Sequence, residues 1–446
     1  MKLAASWRRC AFGLAALVVV CFAQADTPTA ARRELEVQTP EAAGFSSQRL
    51  QRLDASMQRL TDAKQIAGIV TLAARHGKIL HWKAFGMQDL ASGRPMPKDA
   101  IFRIYSMTKP VVGVAMMILH EEGQWQPGDP IAKFLPEFAN TKVFSKLDAN
   151  GQPVLEDVQH PPTMDELMTH TAGFTYGVFQ KRWIDEQYLK AGVISPATLE
   201  FPERSLEELV AKIAALPLAY QPGTQWEYSV SVDIQARIIE KLSGQSLADF
   251  LRKRIFEPLQ MTDTGYYVPA SKRARLATLY QFDASQHALT VRNLVADPSE
   301  PPSMTPGGIG LYSTASDFLR FAQMLLNGGE LDGVRILGPR TVELMRSNHL
   351  PDRLLTGEFG AGPNRFQPGL GFGYDVGVLT DPLRLGDPRG AGTYYWIGIA
   401  GTWFWIDPQF DIVFIGLAQR WADPTLPAMW DMTRATLYQA LINPQR

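Results

Sequence analysis

Two blocks of extended, apolar sequence lie at opposite ends of this chain. Ile66 to Ala73 is rich in apolar and β-branched residues, His76-Gly77-Lys78 makes a turn, and Ile79 to Phe85 resumes the extended pattern. Near the other end, Tyr394 to Ile406 is almost continuously apolar and aromatic, Asp407-Pro408-Gln409 interrupts it, and Asp411 to Ala418 takes it up again. The two ends are therefore expected to be strands of one sheet.

Between them the period changes from two to about 3.6. Ser205-Leu206-Glu207-Glu208 is a capping box opening a helix to about Leu216, Val232 to Leu242 repeats the helical period before stopping at Gly244, and a third helix follows Ser246. Ser316 to Leu326, ending at Asn327-Gly328-Gly329, and Pro339 to Arg346 are further helices. The expected fold class is α/β (α+β), with an antiparallel sheet flanked by helices. One sheet-and-helix lobe comes from about residues 40–125 and 300–446, and a mainly helical lobe from about residues 126–299 is inserted between its parts. A cleft between two such lobes is a usual place for a substrate.

The first 25 residues have the composition of a secretory signal: Lys2, Arg8 and Arg9, then apolar Ala11 to Ala23, then the small-residue site Ala23-Gln24-Ala25. The mature domain, residues 26–446, would then be periplasmic or secreted. Both cysteines, Cys10 and Cys21, fall inside this leader, so a processed chain would have no disulfide, thiolate ligand or cysteine nucleophile. With 44 basic and 45 acidic residues the chain is nearly neutral and has no long charged run, which argues against nucleic acid as a partner. The 7 histidines show no paired spacing for a metal, and no cofactor motif is present.

Hydrolysis by a serine needs a base for its hydroxyl proton, a proton for the leaving atom, and donors for the developing oxyanion. No Gly-x-Ser-x-Gly elbow occurs, but one Ser-x-x-Lys does, Ser106-Met107-Thr108-Lys109. Residues three apart share a helix face, so Lys109 can bring its amine to Ser106. Pro110 suits the first turn of a helix that continues through Val111 to Leu119, and Ile101 to Tyr105 before it is extended. Ser106 is thus expected at a helix start, where free N–H groups favour negative charge.

The segment Phe102 to Pro110 resembles the nucleophile segment of the serine β-lactamase-like and penicillin-binding-protein-like hydrolases, in particular their esterase branch. Leu167-Met168-Thr169-His170-Thr171-Ala172-Gly173 is similar to that family's Leu-Leu-x-His-Thr-Ser-Gly signature, and Met304 to Leu311 is similar to its Gly-rich segment. The resemblance runs from about Gly44 to Ile406 and implies the β-lactamase/transpeptidase fold. It places Tyr228-Ser229-Val230 at the family's Tyr-x-Asn motif, which makes Tyr228 the expected general base and proton donor beside Lys109. It also places Trp396-Ile397-Gly398 at the Lys-Thr-Gly motif, with the backbone N–H groups of Ser106 and Ile399 as the oxyanion hole.

Two departures carry information. Trp396 offers no charge to a substrate carboxylate, and Val230 offers no side-chain hydrogen bond, so with Gly398 they imply a substrate-binding surface for neutral acyl groups. Tyr394, Tyr395, Trp403 and Trp405 are expected mostly to pack the sheet, and His170 to serve a turn. The expected activity is carboxylester hydrolysis through an acyl-enzyme on a small-molecule ester or amide. The alternatives are a β-lactamase, a D-amino-acid peptidase or transacylase, and a catalytically idle binding protein of the same fold.

Overall fold

Burial of alternate side chains on opposite faces organises the largest sheet of the computed structural model, which describes residues 35–293, 297–355 and 368–445. The expected leader, with Cys10 and Cys21, lies outside the described residues. The sheet consists of β1 (Gly68–Arg75), β2 (Lys78–Asp89), β3 (Arg94–Pro95), β4 (Leu370–Phe372), β5 (Gly377–Leu379), β6 (Tyr394–Gly398), β7 (Thr402–Asp407) and β8 (Ile412–Ala418). These 8 strands lie antiparallel in the order β4-β5-β6-β7-β8-β1-β2-β3. The two ends of the chain meet where β1 pairs with β8, Ile69 opposite Ala418 and Arg75 opposite Ile412.

The β1–β2 turn falls where expected, with His76 at φ 53° and Gly77 at φ 71°. Two consecutive left-handed residues match the twist of a hairpin, and glycine takes the second without a steric cost. The long apolar stretch Tyr394 to Ile406 is two strands rather than one. Ile399-Ala400-Gly401 reverses the chain, so that Thr402 pairs back onto Gly398. β7 is wholly buried and β6 alternates buried with more exposed positions, all of them apolar or aromatic, so no polar residue marked the turn.

The described helices are α1 (Ser47–Asp62), α2 (Thr108–Glu121), α3 (Met164–Met168), α4 (Trp183–Lys190), α5 (Leu206–Ala214), α6 (Ser231–Ser243), α7 (Leu247–Leu251), α8 (Ala315–Leu326), α9 (Pro339–Arg346) and α10 (Met429–Tyr438). Trp403, Trp405 and Phe414 pack on one sheet face with Leu53 and Met57 of α1 and Leu437 of α10. Phe404, Ile406, Val413 and Ile415, on the opposite face, join the core containing α2 and α8. α1 and α10 cover a face that the sequence reading left bare.

The inserted region carries α3 to α7; of the expected capping box only the Ser205 half forms, the Glu208 carboxylate accepting the Arg204 N–H (3.0 Å) in place of the Ser205 N–H. The Ser205 side chain accepts the Glu208 N–H (3.1 Å), and Gly244 ends α6 in the left-handed conformation at φ 67°. It also contains two hairpins that the helical pattern hid, Lys142–Leu147 with Pro153–Asp157 and Tyr280–Asp283 with Ala288–Val291.

Candidate active site

The chain enters the site through a short extended piece. Only Phe102 and Arg103 of the expected run Ile101 to Tyr105 are strand, pairing with Ser313 and Tyr312. Tyr105 then takes a left-handed φ of 47°, and Tyr105–Met107 form one 3-10 turn leading into α2. A buried non-glycine residue in that region is strained, and such strain persists only where neighbours enforce it. Here Thr108 Oγ1 donates to the Tyr105 carbonyl (2.6 Å) and accepts the Leu311 N–H (3.2 Å), while Ile104 N–H donates to the Leu311 carbonyl (2.9 Å). Ser106 therefore stands on the turn just before α2, and Pro110 lies inside the first turn of the helix instead of opening it.

Lys109, only 1% exposed, points Nζ at Ser106 Oγ (3.3 Å) and donates to the Gly308 carbonyl (2.7 Å). Nζ lies 4.6 Å from the centre of the Tyr228 ring and 5.4 Å from that of Tyr176, within the range of cation–π attraction. The hydroxyls of Tyr228 and Tyr176 are buried and have no hydrogen-bond partner among the described residues. Burial, reinforced by the charge of Asp233, holds the Tyr176 phenol well above its ordinary pKa, so it stays protonated.

Asp233 is the acidic member of this cluster, and the sequence reading did not find it. It is fully buried on the first turn of α6, and Oδ1 accepts the Gly308 N–H (2.8 Å). Burial pushes its carboxyl up to about 6, against the opposing pull of Lys109 and the Gly308 and Gly307 N–H groups. Gly308 sits at the centre: a methyl group there would meet the Tyr176 hydroxyl at 2.7 Å, Asp233 Oδ2 at 2.9 Å and Lys109 Nζ at 3.1 Å. The available signal was an aspartate between the apolar Val232 and Ile234 at the start of a helix, five residues after Tyr228.

His170 stands behind Tyr228, with ring centres 5.2 Å apart. Its Nδ1 accepts the Ser229 N–H (3.2 Å) and lies 3.1 Å from Ser229 Oγ. Burial, followed by the charge of Lys109, lowers its pKa well below the ordinary value. The imidazole is thus a neutral brace for the segment carrying Tyr228.

Trp396, Gly398 and Ile399 line one cavity of about 250 Å³ together with Ser106 and Tyr228. Its remaining walls are Tyr105, Tyr176, Val178, Phe179, Ile194, Leu199, Ile309, Ile397, Ala422 and Leu426, so among the described residues no charged side chain lines it. The Trp396 ring lies 5.5 Å from that of Tyr228. Gly398 lets β6 approach the nucleophile segment, since a Cβ there would collide with the Ile104 carbonyl and Thr402 Oγ1. Val230 does not join this group: it caps α6, is fully buried in the main core and does not line the cavity. Tyr394, Trp403 and Trp405 pack within the cores on the two faces of the sheet, and Tyr395 packs against one of them.

A Ser-x-x-Lys turn beneath a facing strand, with a tyrosine over the lysine, is the arrangement that the sequence resemblance implied. Residues 53–437 match the family described as Beta-lactamase. The chain belongs to the β-lactamase family. Protein Rv1367c of Mycobacterium tuberculosis is 37% identical over 84% of this chain and 91% of its own length. Esterase EstB of Burkholderia gladioli is 31% identical over 79% of this chain and 86% of its own. The solved structure of EstCE1, described as a hydrolase with promiscuous acyltransferase activity, superposes with a TM-score of 0.73 at 26% identity, covering 89% of this chain and 99% of that one. This β-lactamase-family protein is a serine hydrolase, with esterases among its relatives.

Proposed function

We propose that this β-lactamase-family hydrolase is a carboxylesterase for neutral acyl groups, acting through Ser106. The observation that carries the reading is the cavity itself: it holds the serine, phenols and apolar walls, and among the described residues no charged side chain lines it. A substrate carboxylate entering such a space would lose its hydration against apolar walls, and the amine nearest to it, Lys109, is already engaged by the Gly308 carbonyl and Ser106. By the sequence resemblance, Trp396 stands where a lysine would have paired with that carboxylate.

In this mechanism Ser106 Oγ attacks the ester carbonyl, and its proton passes to the Tyr228 and Lys109 pair. The N–H groups of Ser106 and Ile399 receive the oxyanion. The leaving alkoxide takes the proton and departs as the alcohol, leaving an acyl-serine. Water then adds to the acyl carbon, giving up a proton to the same pair, and the acid leaves as Ser106 recovers its hydrogen.

A second reading replaces that water with an alcohol. The apolar cavity favours an organic acceptor over water, and EstCE1 is described as having acyltransferase activity. Added primary alcohol would then yield a transesterified product at the expense of free acid.

The test is a burst experiment with p-nitrophenyl butyrate and a chromogenic cephalosporin, with mass spectrometry of the labelled peptide. Ester turnover with acyl on Ser106, abolished in Ser106→Ala, supports the esterase. Efficient cephalosporin turnover points to a β-lactamase, and no labelling by either compound points to a binding protein. We further propose that residues 1–25 direct export; recovery of a mature chain starting near Asp26 from outside the cytoplasm would bear this out.

A further inference from the structure

The walls of the cavity come from several segments. Trp396 and its neighbours belong to the main sheet, whereas Tyr176, Val178, Phe179, Ile194 and Leu199 come from one stretch of the inserted region whose helix is α4. Such a stretch, mostly loop, is positioned by its ties and not by a continuous hydrogen-bonded ladder. Its last ties are concentrated around Leu199.

Leu199 has a left-handed φ of 56°, costly for a residue with a branched side chain. The turn around it is closed by the Leu199 N–H donating to the Ser195 carbonyl (2.8 Å) and the Ser195 N–H donating to the Glu200 carbonyl (2.9 Å). The turn presents Leu199 to the cavity, and the next residue, Glu200, accepts a hydrogen bond from Arg103 Nη1 (3.0 Å). Both charged side chains are shielded, 11% and 18% exposed, so their attraction escapes most of the screening that weakens surface pairs.

Arg103 is an anchored partner. Its N–H donates to Gln419 Oε1 (3.3 Å), its carbonyl accepts from Gln419 Nε2 (3.0 Å), and its guanidinium lies 4.7 Å from the centre of the Tyr105 ring. Three residues later in the chain is Ser106. The ion pair therefore ties this wall to the strand that delivers the nucleophile, while Arg292 donates to the Ala197 carbonyl in the same turn from the outer side.

We propose that the Arg103–Glu200 pair is a specificity latch: it holds Leu199 against the acyl pocket and so limits the length of acyl chain that the enzyme accepts. The proposal rests on the esterase reading and deepens it, assigning short-chain acyl esters as the preferred class. Without the latch the wall can recede, which admits longer chains and withdraws packing from short ones.

The experiment compares kcat/KM for p-nitrophenyl octanoate and p-nitrophenyl acetate in wild type, Glu200→Gln and Leu199→Gly. The octanoate-to-acetate ratio is expected to rise by about tenfold or more in both variants, a change on the scale of methylene discrimination in apolar pockets. A ratio in Glu200→Gln within about twofold of wild type, in protein that is folded by circular dichroism and labelled at Ser106 by a phosphonate, overturns the latch. Should Glu200→Gln fail to fold, Glu200→Asp keeps the charge but withdraws the carboxylate by one methylene and is held to the same criterion. A rise in Leu199→Gly with none in the Glu200 variants also refutes the latch. A wild-type enzyme that hydrolyses neither ester refutes the esterase reading instead.

Discussion

The amine of Lys109 lies closer to the Gly308 carbonyl (2.7 Å) than to the Ser106 hydroxyl (3.3 Å). The lysine is thus tethered by a backbone acceptor from the Gly-rich segment while it still reaches Ser106 and the π faces above it. Removing the amine should affect both chemistry and packing. Lys109→Met is expected to lower kcat on p-nitrophenyl butyrate by about 10²- to 10⁴-fold with a much smaller change in KM. It should also lower stability by about 1–3 kcal/mol, because the buried Gly308 carbonyl loses its donor. Steady-state kinetics and thermal melts separate the two effects.

Two phenols crowd the lysine, and their environments distinguish them. The Tyr176 hydroxyl, kept protonated by burial and then by Asp233, can donate a hydrogen bond but cannot act as a base. Tyr228→Phe is therefore expected to cost about 10²- to 10⁴-fold in kcat, and Tyr176→Phe less than about tenfold. Equal losses in the two variants would reassign the base.

These residues also mark how far the sequence could be followed. Ser106 and Lys109 were legible because a local rule brings them together: residues three apart share one side of a helical turn. The sheet was legible because the apolar, β-branched and aromatic runs at both ends are a local pattern too. Asp233, Tyr176 and Ile309 reach the site through the folding of separate segments, and nothing in their own neighbourhoods announces the convergence. Val230 was misplaced for a related reason. The motif position was found, but helix geometry turns its side chain into the core while Tyr228 faces the cavity. The hairpins at Lys142–Asp157 and Tyr280–Val291 were hidden because their strands are short and largely unburied, without the apolar runs of the main sheet.

Asp233 gives the cluster a pH signature. Its carboxyl is raised from 3.8 to about 6, chiefly by burial, so the folded state holds this proton more tightly than the unfolded chain. A raised group contributes stability that is full below about pH 4 and is lost as pH climbs through about 6. Asp233→Asn cannot ionise and has no such loss. Other carboxylates, such as Asp89 and Asp423, are lowered to about 2 and slope the opposite way, so the informative quantity is a difference. The melting temperature of Asp233→Asn minus that of wild type is expected to increase between pH 4 and pH 7 and then level off. A flat difference over that range would show that Asp233 titrates normally.

Gly398 tests whether the approach of the sheet to the nucleophile segment matters for chemistry. A Cβ at this position would collide with the Ile104 carbonyl and with Thr402 Oγ1, and those two groups are already joined by a hydrogen bond (3.1 Å). Neither can yield independently, so the strand must retreat from the segment that carries Ser106, taking Ile399 with it. Gly398→Ala is expected to cost about 1–3 kcal/mol of stability through overpacking. Its kcat should fall by about 10²-fold or more, as when one oxyanion donor is misplaced. Gly386→Ala is the control: that glycine is left-handed at φ 67° with open space around its Cβ position, so it carries backbone strain without any collision. It should lose about 1–2 kcal/mol and retain full kcat. If both variants lose stability alone, the backbone of Ile399 is not part of the machinery, and the oxyanion must be held by other donors.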